Sequence, residues 1–133
     1  MKIATLIVRV LLGLGFMVFG LNILYPFLPM PPPPPEGSLP AHFFAAVGMT
    51  GWMKVVGICQ LVGGLLVLSG RMAPLGLAIL APVLVNIFSF HIFLMGGEGL
   101  APGFIFALFE IFLIYAYRNN FRGLFTTHAT PTP

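Results

Sequence analysis

The chain has 133 residues, of which 59% are hydrophobic and only 7% are charged, with six basic and three acidic side chains and a mean hydropathy of +1.05. So few charges cannot clothe a water-soluble globule of this length, in which about a quarter of the residues would be charged, and the composition places the chain in a membrane. The isoelectric point near 9.5 is no sign of nucleic acid, because Lys2, Arg9, Lys54, Arg71, Arg118 and Arg122 are scattered singly with no run or stripe.

Residues 3–24 form an apolar run, broken only by Thr5, Arg9 and Asn22, of about the 20 residues that a helical crossing needs. Its length, the intramembrane Arg9 and the lack of a small-x-small cleavage site predict a retained span rather than a signal peptide. Residues 25–48 follow as a proline-rich loop, YPFLPMPPPPPEGSLP at its start, whose prolines fix φ and remove donors, so an extended polyproline segment is expected. It reads as a stiff spacer, with a docking site for a proline-recognising partner as the alternative.

The second span is predicted over about 49–69, with Gly57, Gly63 and Gly64 allowing a neighbouring helix to come close. The third runs over about 74–94, starting at Pro74 and kinked at Pro82, and GGEG ends it. The fourth, over about 102–117, carries Tyr115 and Tyr117 where interfacial aromatics belong. Residues 1–124 therefore read as one all-α, integral membrane four-helix bundle, and 125–133 as a disordered tail. Four spans return the chain to its starting face. Lys2, Arg71, Arg118 and Arg122 then gather there, while Glu36 and Glu98 lie opposite, so both termini are expected to be cytoplasmic and the proline-rich loop extracytoplasmic.

The polar residues inside the spans sort by depth at about 1.5 Å of rise per residue. Arg9 and Glu110 fall at matching heights, roughly 9 to 12 Å above the terminal face, which predicts a buried ion pair between the first and fourth spans. The alternative is an arginine that snorkels to the interface beside a neutral Glu110. Gln60 and Asn86 lie near mid-membrane, where they are expected either to hydrogen-bond across the second and third spans or to contact a ligand. His91, Asn22, Trp52 and Lys54 form a further polar layer close to the opposite surface. Five positions separate Asn86 from His91, about 140° on an ideal helix, so the two are expected to face different surroundings. His91 reads as a hydrogen-bonded structural residue rather than a metal or haem ligand, with His42 as the only other histidine in reach, and no metal is expected.

Several stretches together resemble one family. RVLLGLGFMVFGLN, GWMKVVGICQLVGGLLVLSGR, APLGLAILAPVLVNIFSFHIFL and FEIFLIYAYRNNFRGL are similar to the DoxX family of small four-helix bacterial membrane proteins, from Arg9 to Leu124. Arg9, Asn22, Pro74-Leu75-Gly76, Asn86, His91, Glu110, Arg118 and Phe121 carry the likeness. Gln60 stands where the family usually has an acidic residue, and Ile23 where a lysine often follows the asparagine. Both departures remove ionisable groups. The resemblance implies a place in the bacterial inner membrane and a quinone-linked redox association, since the family takes its name from a subunit of a thiosulfate to quinone oxidoreductase.

Two functions follow as expectations. The first is an accessory subunit of a membrane electron-transfer complex, not catalytic alone, working with other membrane subunits or copies of itself. Asn22, Gln60, Asn86 and His91 are its candidate polar or quinone contacts among Phe88, Phe90 and Phe93. The second is a small oligomeric transporter with Glu110 as its exchanging carboxylate. A dithiol oxidoreductase is excluded, because Cys59 is the single cysteine.

Overall fold

The computed structural model describes residues 1–133, and its only regular elements are helices, with no strand. Helix α1 spans Lys2–Leu24, α2 Leu39–Met49, α3 Trp52–Ser69, α4 Ala73–Ser89, α5 Ala101–Ala116 and α6 Arg118–Phe121. A π-helical turn, Phe90–Leu94, extends α4, and a 3-10 turn, Arg122–Phe125, extends α6. Three helices are long and apolar enough to cross a membrane (α1, α3 and α4 with its π extension), and α5 makes a fourth when joined to the α6 segment, from which it is bent by 78°. That bend follows the change from IFLIYA to RNNFR, where charge and amide groups can no longer enter hydrocarbon.

The bundle is dressed in apolar side chains, as a lipid-facing surface requires. On α1 the exposed residues Ile3, Ile7, Leu14, Val18 and Leu21 form one stripe, while Leu12, Gly13, Phe16 and Gly20 are buried on the other face. The core comprises Leu12, Phe16, Val67, Leu77, Leu80, Val83, Leu84 and Leu113. Helix α3 is the hub: it packs on α1 along one side and on α4 along another, and α5 closes the bundle more loosely against both α1 and α4.

Glycines set the closeness of those contacts. A Cβ built on Gly64 would lie 2.8 Å from the Gly13 carbonyl oxygen, and one on Gly20 2.8 Å from that of Gly57. The two antiparallel backbones therefore touch at two levels, two helical turns apart, and only glycine fits there. Gly63 and Gly76 do the same between α3 and α4, where a Cβ on Gly76 would meet the Gly63 carbonyl oxygen at 2.8 Å. The expected close approach at Gly57, Gly63 and Gly64 is present, and its partners are Gly13, Gly20 and Gly76.

The stretch 25–48 is not a loop throughout. It runs extended through the prolines, and then Leu39–Met49 forms α2. Ser38 caps this helix, its Oγ accepting from the Ala41 N–H at 3.4 Å, and Pro40 lies in the first turn, where its missing N–H is harmless. The second span accordingly begins at Trp52 rather than 49, after the left-handed Gly51 (φ 73°) turns the chain. The third span loses α geometry at Ser89 and finishes as the π turn, and Phe125, assigned to the tail, belongs to the 3-10 turn.

Candidate functional site

Near the loop face α3 and α4 part, and α2 lies across the gap. The result is a chamber of about 620 Å³. Phe43, Phe44 and Val47 of α2 roof it, Val56 and Gln60 of α3 and Val83 and Asn86 of α4 wall it, and the π turn contributes Phe90, His91, Phe93 and Leu94. The rings form a cluster: Phe90 sits 5.1 Å from Phe43, 5.2 Å from Phe44 and 5.2 Å from the His91 imidazole, centroid to centroid. These spacings suit tilted and edge-on aromatic packing. Trp52 lies at the mouth.

Three polar side chains, Gln60, Asn86 and His91, line this apolar space. Gln60 is 5% exposed, and its Oε1 is buried without a hydrogen-bond partner. The Asn86 amide donates to the Pro82 carbonyl oxygen of its own helix at 3.0 Å. The expected Gln60–Asn86 bond across the interface is therefore not formed. Helix direction explains this: side chains lean toward the N-terminus of their own helix, so Asn86 leans back over Pro82 while Gln60, on an antiparallel helix, leans toward the chamber. Pro82 leaves its own turn short of one N–H, and the Asn86 amide serves the carbonyl that begins the next.

His91 donates from Nδ1 to the Glu98 carbonyl oxygen at 2.7 Å. That bond fixes the proton of a neutral ring on Nδ1 and leaves Nε2 as the unengaged nitrogen. The expectation that Asn86 and His91 face different surroundings does not hold, since both line the chamber. It assumed an unbroken α-helix, whereas the chain passes into a π turn in which each residue rotates less and the helix widens. The Gly97 N–H donates to the His91 carbonyl oxygen at 2.7 Å, and the left-handed glycines 96, 97 and 99 fold GGEG back under the ring.

Asn22 is not part of the site. Its Oδ1 accepts from the Phe27 and Leu28 N–H groups at 2.9 and 2.8 Å and turns the chain as it leaves α1. His42 is exposed on α2, and no group of three or more metal-binding side chains comes together.

The Arg9–Glu110 ion pair is not formed either. Arg9 makes one hydrogen bond, from Nη1 to the Tyr117 hydroxyl oxygen at 3.3 Å, and its guanidinium packs on Gly70 at the end of α3. Both Glu110 oxygens are buried without a partner, and the residue is 3% exposed beside a groove of about 360 Å³ between α4 and α5. Equal Cα height does not bring the groups together. Helices α1 and α5 are antiparallel, so Arg9 leans toward the terminal face and Glu110 toward the loop face, and Tyr117 lies about 10 Å further along α5 than Glu110.

Sequence reading missed the contribution of α2, Phe43, Phe44 and Val47, because the polyproline run drew the whole of 25–48 into one loop. Ser38 followed by Leu39-Pro40 was the available signal, a capping residue with proline in the first turn. The DoxX family model matches residues 4–92, which takes in α1 to α4, Gln60, Asn86 and His91, and stops short of α5 and Glu110. No curated protein and no solved structure matches the chain.

Proposed function

The chain belongs to the DoxX family of integral membrane proteins, and from that premise we propose that it is an accessory subunit of a quinone-linked redox complex in the bacterial inner membrane, with the α2–α3–α4 chamber as its quinone site. The observation that carries this reading is the convergence of Gln60, Asn86 and His91 on one aromatic-walled space. Its volume lies in the range of small-molecule pockets, roughly 300 to 1,000 Å³.

A quinone ring needs apolar faces to stack on and hydrogen-bonding groups at its two oxygens. Phe43, Phe44 and Phe90 supply the first. Gln60 has two amide N–H groups, and Asn86 keeps one after serving Pro82, so each can donate to a quinone carbonyl oxygen. With Nδ1 engaged by the Glu98 carbonyl, Nε2 is the His91 nitrogen left to face the hydroxyl of the reduced form. The two electrons and two protons of quinone reduction would come from a redox centre on a partner subunit docked against the bundle, since this chain holds one cysteine and no cluster of metal-binding side chains.

Trp52 is the only tryptophan and stands at the chamber, which provides the test. Short-chain ubiquinone and menaquinone analogues are expected to quench its fluorescence saturably in detergent. The double substitution Gln60→Leu with Asn86→Leu should weaken that binding about tenfold or more, as loss of two hydrogen bonds to a ligand would. Quenching that rises linearly without saturation, or is indifferent to the substitutions, would overturn the assignment.

A second reading is a small oligomeric carrier built on Glu110, favoured by the burial of both carboxyl oxygens without a partner. Uptake by protein-containing vesicles separates the two: a Glu110→Gln protein that folds but no longer supports proton-coupled uptake favours the carrier.

A further inference from the structure

At the opposite end of the bundle a cleft of about 320 Å³ opens between the start of α1 and the end of α5, lined by Lys2, Thr5, Leu6, Arg9, Ala116 and Tyr117, with Met1 at its edge. We propose that this cleft holds a phosphate group, carried by an anionic phospholipid of the surrounding leaflet.

The charge in the cleft is of one sign. Lys2 and Arg9 enter it and no carboxylate does. Of the three acids, Glu36 and Glu98 belong to the far face, and Glu110 leans away from Arg9 with both oxygens sealed. Arg71, Arg118 and Arg122 add to the positive field at the same end. Such a face draws anionic headgroups, and basic pockets between helix ends are where they settle.

Arg9 makes the site specific. A guanidinium has five N–H donors, and this one uses a single bond, to the Tyr117 oxygen, while its buried Nε has no partner. A cation this far inside a span needs an anion, and the side chain runs toward the terminal face, where lipid phosphates lie. The fork of a guanidinium matches phosphate oxygens, and Tyr117, whose oxygen accepts from Arg9, still has its own O–H to donate. Thr5 is already committed, its hydroxyl donating to the Met1 carbonyl oxygen at 2.8 Å, so it shapes the cleft rather than binding in it. Exposed Leu6 and Ile7 on the adjacent surface of α1 suit acyl chains running from the headgroup into the bilayer.

Delipidated full-length protein in mild detergent, titrated with phosphatidylglycerol or phosphatidylcholine and read by native mass spectrometry, tests the proposal. One phosphatidylglycerol should be retained about tenfold more tightly than phosphatidylcholine, and Arg9→Gln should abolish that preference. Arg9→Lys should restore part of it. Lys2→Gln, at the exposed start of α1, and Tyr117→Phe, which keeps the ring packed on the core, should each weaken it about two- to threefold, and they carry the test if Arg9→Gln does not fold. Inorganic phosphate added in competition distinguishes the sources: displacement of the lipid assigns the cleft to soluble phosphate, and retention assigns it to the headgroup. Equal retention of the two lipids by the wild type, or an undiminished preference across all of these variants, overturns the site.

Discussion

Helix α3 meets α1 and α4 in opposite ways. Against α1 it lies backbone to backbone at Gly13–Gly64 and Gly20–Gly57, with no room for a side chain. Against α4 it is equally close at Gly63–Gly76, but toward the loop face Val56 and Gln60 oppose Val83, Asn86 and Phe90, and the helices are propped apart around a chamber of about 620 Å³. One helix thus serves as both seal and wall. Where small residues continue to the end of a contact the bundle closes; where they give way to larger ones it opens, and a third element must fill the gap. In lipid, helix association depends on such packing because apolar burial gains little there.

The contrast can be broken most severely at the seam. Gly64→Leu would force a side chain into the Gly13 carbonyl, and we expect a loss of about 3 kcal/mol or more, seen as failure to yield a monodisperse protein in detergent. A normal melting transition for this variant would show that the α1–α3 contact is not as close as described. The next largest effect is of the opposite sign. Glu110→Leu removes two buried oxygens that have no partner, so thermal stability in detergent should rise by about 1 to 3 kcal/mol. A fall would reveal an unseen partner at that carboxyl.

Filling the chamber should matter less to the fold and more to the ligand. Val56→Phe adds volume where there is space for it, so stability should change by less than about 1 kcal/mol while saturable quenching of Trp52 by quinone analogues disappears. Unchanged quenching would remove the chamber as a quinone site. The smallest effect is expected at Asn86→Ala, where loss of the bond to the Pro82 carbonyl should lower stability by about 0.5 kcal/mol in thermal unfolding.

Much of the architecture was legible because hydrocarbon imposes a simple rule. A run of apolar residues long enough to cross must be a helix, so the spans can be read from residues 3–24, 49–69 and 74–94 nearly as they stand. Helix α2 was not legible in the same way: too short to cross, it lies behind a polyproline run that reads as loop, and its role emerges only from the gap it covers. The π turn left no mark either, since FHIFL, apart from His91, continues the apolar run of α4.

Gln60, Asn86 and His91 were identifiable as polar residues with no business in lipid, and depth along the helices placed them roughly. Depth did not pair them. Arg9 and Glu110 share a height, yet the antiparallel run of α1 and α5 tilts their side chains apart, one to Tyr117 and the other into the core.

The amino-acid sequence by itself determined that this protein is a bundle of membrane helices, how many crossings it has scope for and which residues would be costly inside them, because those properties depend on composition along one chain. Only the tertiary structure decided which polar groups share a space. That depends on helix direction, on where glycines let backbones touch and on a local widening of one helix, and these act between segments rather than along them.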